Sequence, residues 1–232
     1  MSENLSRRDF IKRAALGAAG VMATGGLTLS AEAAQLPAMW DKEVDVVVIG
    51  AGGAGLMAAI QAHDAGGDVL IVNKGKSVFH SATRMCGGLF TASNTKLQKK
   101  EGIKDSSEEF AKDVLAYGNY MNFPEVIHAW TKRSGEAFDW LADRGLAKHH
   151  LENYAGHSNK RALRQASYTG RDYVDVLDKE LNKRKIKVEA SSPVTKYFYD
   201  EKLDRIAGIE ATGKNGAFTV KARKGVILCS GG

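Results

Sequence analysis

Apolar side chains along this chain switch between two periods, and glycines mark the switch points. Residues 44–49, VDVVVI, form a β-branched run too short for a buried helix, which suits a strand covered on both faces. Leu56, Ala59, Ile60 and His63 then repeat at helical spacing until Gly66 and Gly67 end the helix, and residues 69–72, VLIV, read as a second strand. Between the first strand and the helix, Gly50, Gly52 and Gly55 stand in GxGxxG register, with Gly53 and Ala54 completing the turn. The first glycine permits the tight turn, the second lets a pyrophosphate approach the backbone, and the third lets the helix pack closely on the strand. Backbone N–H groups and the helix dipole then favour the phosphates. Strand, glycines, helix and strand in this order predict a βαβ unit that holds the ADP half of a dinucleotide. At the end of the second strand such units usually offer Asp or Glu to the ribose; here stands Asn73, which hydrogen-bonds a hydroxyl without the charge. Lys74 follows, either near the pyrophosphate or as an exposed strand-end lysine.

The pattern then loosens. Residues 76–94, KSVFHSATRMCGGLFTASN, are rich in small and hydroxyl side chains around Gly87-Gly88, and small residues let a flat ring lie against backbone. Residues 106–117 open with Ser-Ser-Glu-Glu, good capping chemistry. Pro124 opens a second helix with Val126, Ile127, Trp130, Phe138 and Leu141 toward a core and Gly145 at its end. Residues 151–165 lack a period and carry His157, Arg161 and Arg164, so they read as a loop able to reach an active-site edge, and His149 and His150 read as solvent-facing. Thr169-Gly170-Arg171-Asp172 is a capping-box-like start to a helix whose Tyr173, Val176, Leu177 and Leu181 share one face. A third strand is expected at 186–191. Residues 194–200, 205–212 and 217–222 alternate between turn residues as a β-meander, and 225–229 read as one more short buried strand before Ser230-Gly231-Gly232.

Ahead of these elements, Ser6-Arg7-Arg8-Asp9-Phe10-Ile11-Lys12, a mildly apolar run over 14–29 and the small-residue site Ala31-Glu32-Ala33 resemble a twin-arginine export signal. Residues 1–33 are therefore expected to be a signal peptide and 34–232 the mature domain, with a periplasmic location; the apolar run is shorter than the ~20 residues of a spanning helix. Exporters of this kind carry proteins already folded, commonly around a cofactor. The formal charge of +6 falls to about +5 once the four basic and three acidic residues of the leader are set aside. Spread lysines such as Lys96, Lys99, Lys100, Lys183 and Lys187 read as a solvated surface, and no basic-aromatic interleaving argues for nucleic acid. Cys86 and Cys229, the only cysteines, stand in no ligand spacing and read as buried small apolar residues. No CxxCH is present, so no c-type haem is expected and no metal site is assigned.

Taken together, the glycine loop, the 76–94 segment, Thr169-Gly170 and the Ser230-Gly231-Gly232 ending resemble the flavoprotein subunits of fumarate reductase and succinate dehydrogenase. The resemblance implies an α/β fold: a Rossmann-like parallel sheet with an inserted β-meander, as in flavin domains of the glutathione-reductase type, with FAD as cofactor. In that family the residue six positions before the glycine pair is Asn, Ser or a covalently attached His that binds the flavin; here it is Ser81, and His80 precedes it by one. Ala82, Thr83, Gly87 and Gly88 would lie beside the flavin ring, Val194 would meet the adenine, and Ser230 and Gly231 would return the chain beneath the first glycine loop.

The resemblance spans the whole mature chain but only the first part of a family member, whose capping domain carries most of the substrate-handling residues, so no catalytic acid is named. It implies an oxidoreductase reducing an activated C=C next to a carboxylate, fed by a separate electron carrier such as a cytochrome or a quinol-linked protein. It also implies a C-terminal half or partner chain beyond these residues. Two other readings stand beside it: dehydrogenation of a 3-oxosteroid, and a non-catalytic flavin-binding or electron-transfer module. A simple nicotinamide-binding domain fits less well, because a meander follows the third strand where alternating strands and helices would be required.

Overall fold

A computed structural model describes residues 36–146 and 149–231. The leader expected at residues 1–33 lies outside the described residues. Two compact units are present, one running up to Val78 and resuming at Arg184, the other spanning Phe79–Lys183. In chain order the first half contributes β1 (Lys42–Ile49), α1 (Gly53–Asp64), β2 (Val69–Val72), α2 (Ala82–Met85), β3 (Leu89–Thr91), α3 (Lys96–Lys100), α4 (Ser107–Tyr117) and α5 (Pro124–Ala142). The second half contributes β4 (His149–Glu152), β5 (Ala162–Gln165), α6 (Arg171–Lys183), β6 (Lys187–Glu189), β7 (Val194–Asp200), β8 (Arg205–Gly213) and β9 (Gly216–Leu228).

The first unit is built on a sheet of order β6-β2-β1-β9-β8-β7. The pairs β6-β2, β2-β1 and β1-β9 are parallel, while β9-β8 and β8-β7 are antiparallel, so the α/β sheet with an inserted meander is observed as expected. Val47, Ile49, Leu70 and Val72 form one apolar cluster with Ile209, Ala211, Val220 and Ala222. The alternate positions Val48 and Ile71 take the other face, where Leu56, Ala59 and Ile60 of α1 are buried. Both faces are covered, which is why these strands read as unbroken apolar runs.

One division expected from sequence is absent: residues 217–222 and 225–229 are not two strands but parts of the single strand β9. Arg223 and Lys224, which look like a turn, form a register shift instead, opposite Val44 and Val46 of β1. Their charges are met in place by Asp45, whose carboxylate accepts from Arg223 Nε at 2.9 Å and Lys224 Nζ at 3.2 Å. The strand therefore continues through a polar dipeptide. Its end also departs from expectation, since Ile227 and Leu228 are exposed rather than buried.

In the second unit a three-stranded sheet of order β3-β5-β4 stands where a loop over 151–165 was expected. Polar strand residues hid it. Arg161 is fully buried, its Nη2 and Nε donating to the Asp105 carboxylate at 2.7 and 3.0 Å, its Nη1 to Asp113, with its guanidinium 4.8 Å from the Phe110 ring centre. Arg161 thus serves the core and not an active-site edge. Ser106 caps α4 by accepting from Glu109 N at 3.0 Å, and α5 turns Phe138 and Leu141 inward as expected. Val126 and Trp130 are exposed instead, Trp130 lying edge-on to Phe110. His150 is exposed, whereas His149 packs edge-on against Phe138. Among the described residues no helix is long and apolar enough to cross a membrane.

Two outcomes test this account. The Asp68 N–H, then Arg223 and Lys224, hold the Asp45 carboxyl down at about 2 against an ordinary 3.8, so its contribution is present above 3.8 and is lost as pH falls toward 2. Asp45→Asn lowers the thermal midpoint at pH 7 and flattens its decline across that window, read by circular dichroism melts. Arg161→Met leaves the buried Asp105 carboxylate and the partly exposed Asp113 without their cation and costs about 3 kcal/mol in denaturant unfolding.

Candidate cofactor site

In the first unit the expected residues gather at the C-terminal ends of β1, β2 and β9, the end at which open parallel sheets bind ligands. Gly50 has φ +101°, and a Cβ there would stand 2.5 Å from the Cys229 carbonyl oxygen, so only glycine fits where β1 passes β9. A Cβ on Gly55 would fall 1.9 Å from the Gly50 oxygen, which brings α1 directly onto the turn. Gly52 is the N-cap of α1. Among the described residues no side chain caps this helix, and its first turn carries no acidic residue to offset the positive end of the dipole. Ala54, Ser230 and Gly231 are exposed at this end, and Gly53 is half-buried.

Asn73 has a more demanding role than its expected ribose contact. Its side-chain oxygen accepts from Ala51 N at 3.2 Å, and its amide donates to the Gly75 and Ser77 carbonyls, both at 3.2 Å. Its own carbonyl accepts from Ser192 N, and Gly75 O accepts from Ser191 N, each at 2.9 Å. This ties the glycine loop to the approach to β7, where Val194 begins the strand. The departure from Asp or Glu has a physical reason, because a carboxylate here would face two carbonyl oxygens and donate to neither. Lys74 is exposed.

The second unit carries the other expected residues. Ser81 caps α2 by accepting from Arg84 N at 3.4 Å. His80, Ser81 and Ala82 line a cavity of about 630 Å³ together with Phe79, Arg84, Met85 and Arg171. Thr83 packs so closely on Gly170 that a Cβ at Gly170 would lie 1.7 Å from its carbonyl oxygen. Gly88, at φ +66°, is pressed against Thr169. Neither cysteine is buried as expected: Cys86 is exposed, its thiol donating to the Thr83 carbonyl at 3.0 Å, and Cys229 is half-buried, its thiol pushed up by burial. The sequence does not mark Arg84 or Arg171 as cavity residues, since Arg84 stands in an aperiodic segment and Arg171 reads only as part of a helix start.

The FAD binding domain family matches residues 45–232. This chain belongs to that family. This chain is 32% identical, over an alignment of 239 positions, to the acrylate reductase flavoprotein subunit of Shewanella woodyi, covering 98% of this chain and 46% of that protein. Among solved structures it resembles the open conformation of a flavocytochrome c3 fumarate reductase, with TM-score 0.74 and 27% identity over 83% of this chain and 34% of the other. It also resembles the 3-ketosteroid-Δ4-(5α)-dehydrogenase of Rhodococcus jostii RHA1, with TM-score 0.69 and 27% identity over 82% of this chain and 46% of the other. The chain spans between a fifth and just under half of the length of the first curated relatives it matches. The donor set fits FAD: an uncapped helix start suits a pyrophosphate, and glycines stand where any Cβ would close the turn.

Asn73→Asp removes both amide donations and places a charge beside two carbonyl oxygens, so it destabilises the fold by roughly 1–3 kcal/mol despite supplying the acid that related units carry. Chemical denaturation of the variant beside the parent checks the sign.

Proposed function

We propose that this chain is the FAD-binding portion of an exported oxidoreductase that reduces an activated C=C adjacent to a carboxylate. The observation that carries the reading is the GxGxxG turn at the uncapped start of α1, in a chain whose family match runs from residue 45 to 232. Bound FAD supplies hydride transfer from N5. The protein's part is to bind and orient: Gly50, Gly52, Gly53, Ala54 and Gly55 receive the pyrophosphate, aided by Lys74. Asn73 holds that loop and offers its remaining lone pair to the ribose, Val194 meets the adenine, and Ser230 and Gly231 support the turn from below. In the second unit, His80, Ser81, Ala82, Thr83, Gly87 and Gly88 form the ring contacts.

A carboxylate substrate is favoured over a neutral steroid by the cavity lining. Arg84 has no carboxylate within ion-pair distance among the described residues, and Arg171, which pairs with Asp175 at 3.6 Å, lines the same cavity, so an anionic group would meet Arg84 there. The steroid reading stays as the second one because a 3-ketosteroid dehydrogenase is among the structural neighbours. Electrons arrive from a separate carrier, a cytochrome or quinol-linked protein. Residues 1–33 direct twin-arginine export to the periplasm, leaving 34–232 as the mature domain.

The test is a visible spectrum of the purified chain, repeated on supernatant and pellet after acid precipitation, then dye-linked assays with acrylate, fumarate and a 3-oxosteroid. Flavin bands released to the supernatant are expected of the chain, and reduced dye consumed on acrylate or fumarate is expected when it is supplied with the C-terminal half. Bands kept in the pellet would make His80 a covalent attachment site. A chain that takes up no FAD, or that acts only on the steroid, overturns the reading.

A further inference from the structure

The Gly87-Gly88 turn has its acceptors consumed and its donors left over. Cys86 O accepts from Gly170 N at 2.9 Å, Gly87 O from Arg164 Nη1 at 3.1 Å, and Gly88 O from both Gln165 N and the Tyr173 hydroxyl at 3.2 Å. The N–H groups of Gly87 and Gly88 find no acceptor among the described residues. The two glycines also differ in why they are glycine. Gly88 is forced by its left-handed φ and by Thr169, whereas Gly87 has no such φ, and a Cβ there would touch only Arg164 Nη1 at 3.9 Å. Nothing among the described residues of the unit demands glycine at 87, and its bare backbone leaves room for a ligand to approach.

Tyr173 is the side chain that reaches the Gly88 carbonyl. It is buried on α6, and its oxygen accepts from Gln165 Nε2 at 2.8 Å, which commits the hydroxyl proton to Gly88 O. Burial pushes the phenol well above its ordinary range, so it remains a donor throughout physiological pH. Arg164, paired with Glu152 at 2.6 Å, anchors the preceding carbonyl in the same sense.

We infer that Tyr173, held by Gln165, is a positioning residue for the FAD ring: it keeps the Gly88 carbonyl turned into the unit so that the Gly87 and Gly88 N–H groups stay available to acceptors on the ring. This rests on the ring contacts given under the proposed function and adds the side chains that enforce them.

The experiment compares FAD and ADP binding to the deflavinated chain by calorimetry, in the parent, Tyr173→Phe and Gln165→Met. ADP reports the glycine loop alone, while FAD reports the loop and the turn. Tyr173→Phe is expected to weaken FAD roughly five- to tenfold, the worth of about one hydrogen bond, to shift the visible bands of the bound flavin, and to leave ADP affinity unchanged. Gln165→Met moves FAD affinity the same way by less. Unchanged FAD affinity and spectrum in both variants, or parallel loss of ADP and FAD in both, overturns the positioning role. A parent chain that binds no FAD overturns the proposed function itself, and the inference with it.

Discussion

The approach of Gly55 to the Gly50 carbonyl, closer than any side chain allows, is the contact on which the first unit depends. It lets α1 start at the end of β1 without a spacer, so the helix dipole meets the bend of the chain rather than open solvent. The same bend carries Gly50 over Cys229, whose N–H donates to Ile49 O at 2.8 Å, and this brings the end of β9 beneath the turn. A methyl at either glycine would separate helix, β1 and β9 together.

Asn73 shows how a loop with little apolar content is held. Three hydrogen bonds of one buried amide, one accepted from Ala51 N and two donated to the Gly75 and Ser77 carbonyls, replace the packing that strands and helices supply elsewhere. Buried polar groups of this kind hold one geometry because any alternative strands a donor or acceptor. The second unit uses the same economy with charge: Arg161 satisfies Asp105 and Asp113 at once, in a region with no apolar period to direct it.

The elements legible in the sequence were those whose apolar period decides their environment. β1, α1 and β2, and the inward face of α6, could be read because burial on fixed sides leaves a repeat in the chain. β4 and β5 could not, since HHLE and ALRQ mix charge with single leucines, and what stabilises them is a pairing partner and a buried arginine far off in sequence. β9 was divided in two because Arg223-Lys224 imitates a turn unless Asp45 is known to lie across from it. The glycine loop was legible for a different reason: its chemistry is backbone chemistry, and glycine is the mark that backbone leaves in a sequence. Tyr173 left no such mark. Its ring satisfies the helical pattern of α6, and the pattern says nothing of the hydroxyl.

Each unit presents a glycine turn whose main chain, in the function proposed above, meets an acceptor-rich cofactor alongside the cationic side chains. In the first, the start of α1 has no side-chain cap; in the second, carbonyls of the Gly87-Gly88 turn are drawn away by Arg164, Gln165 and Tyr173. A backbone donor costs no side-chain entropy when it binds, but it is useful only if its direction is fixed beforehand. The side chains that matter to such a site are therefore those that restrain the backbone from behind, and they need not touch the ligand. Asn73 behind the glycine loop and Tyr173 behind the second turn are in this sense the same solution, one reached through a side-chain amide and the other through a phenol.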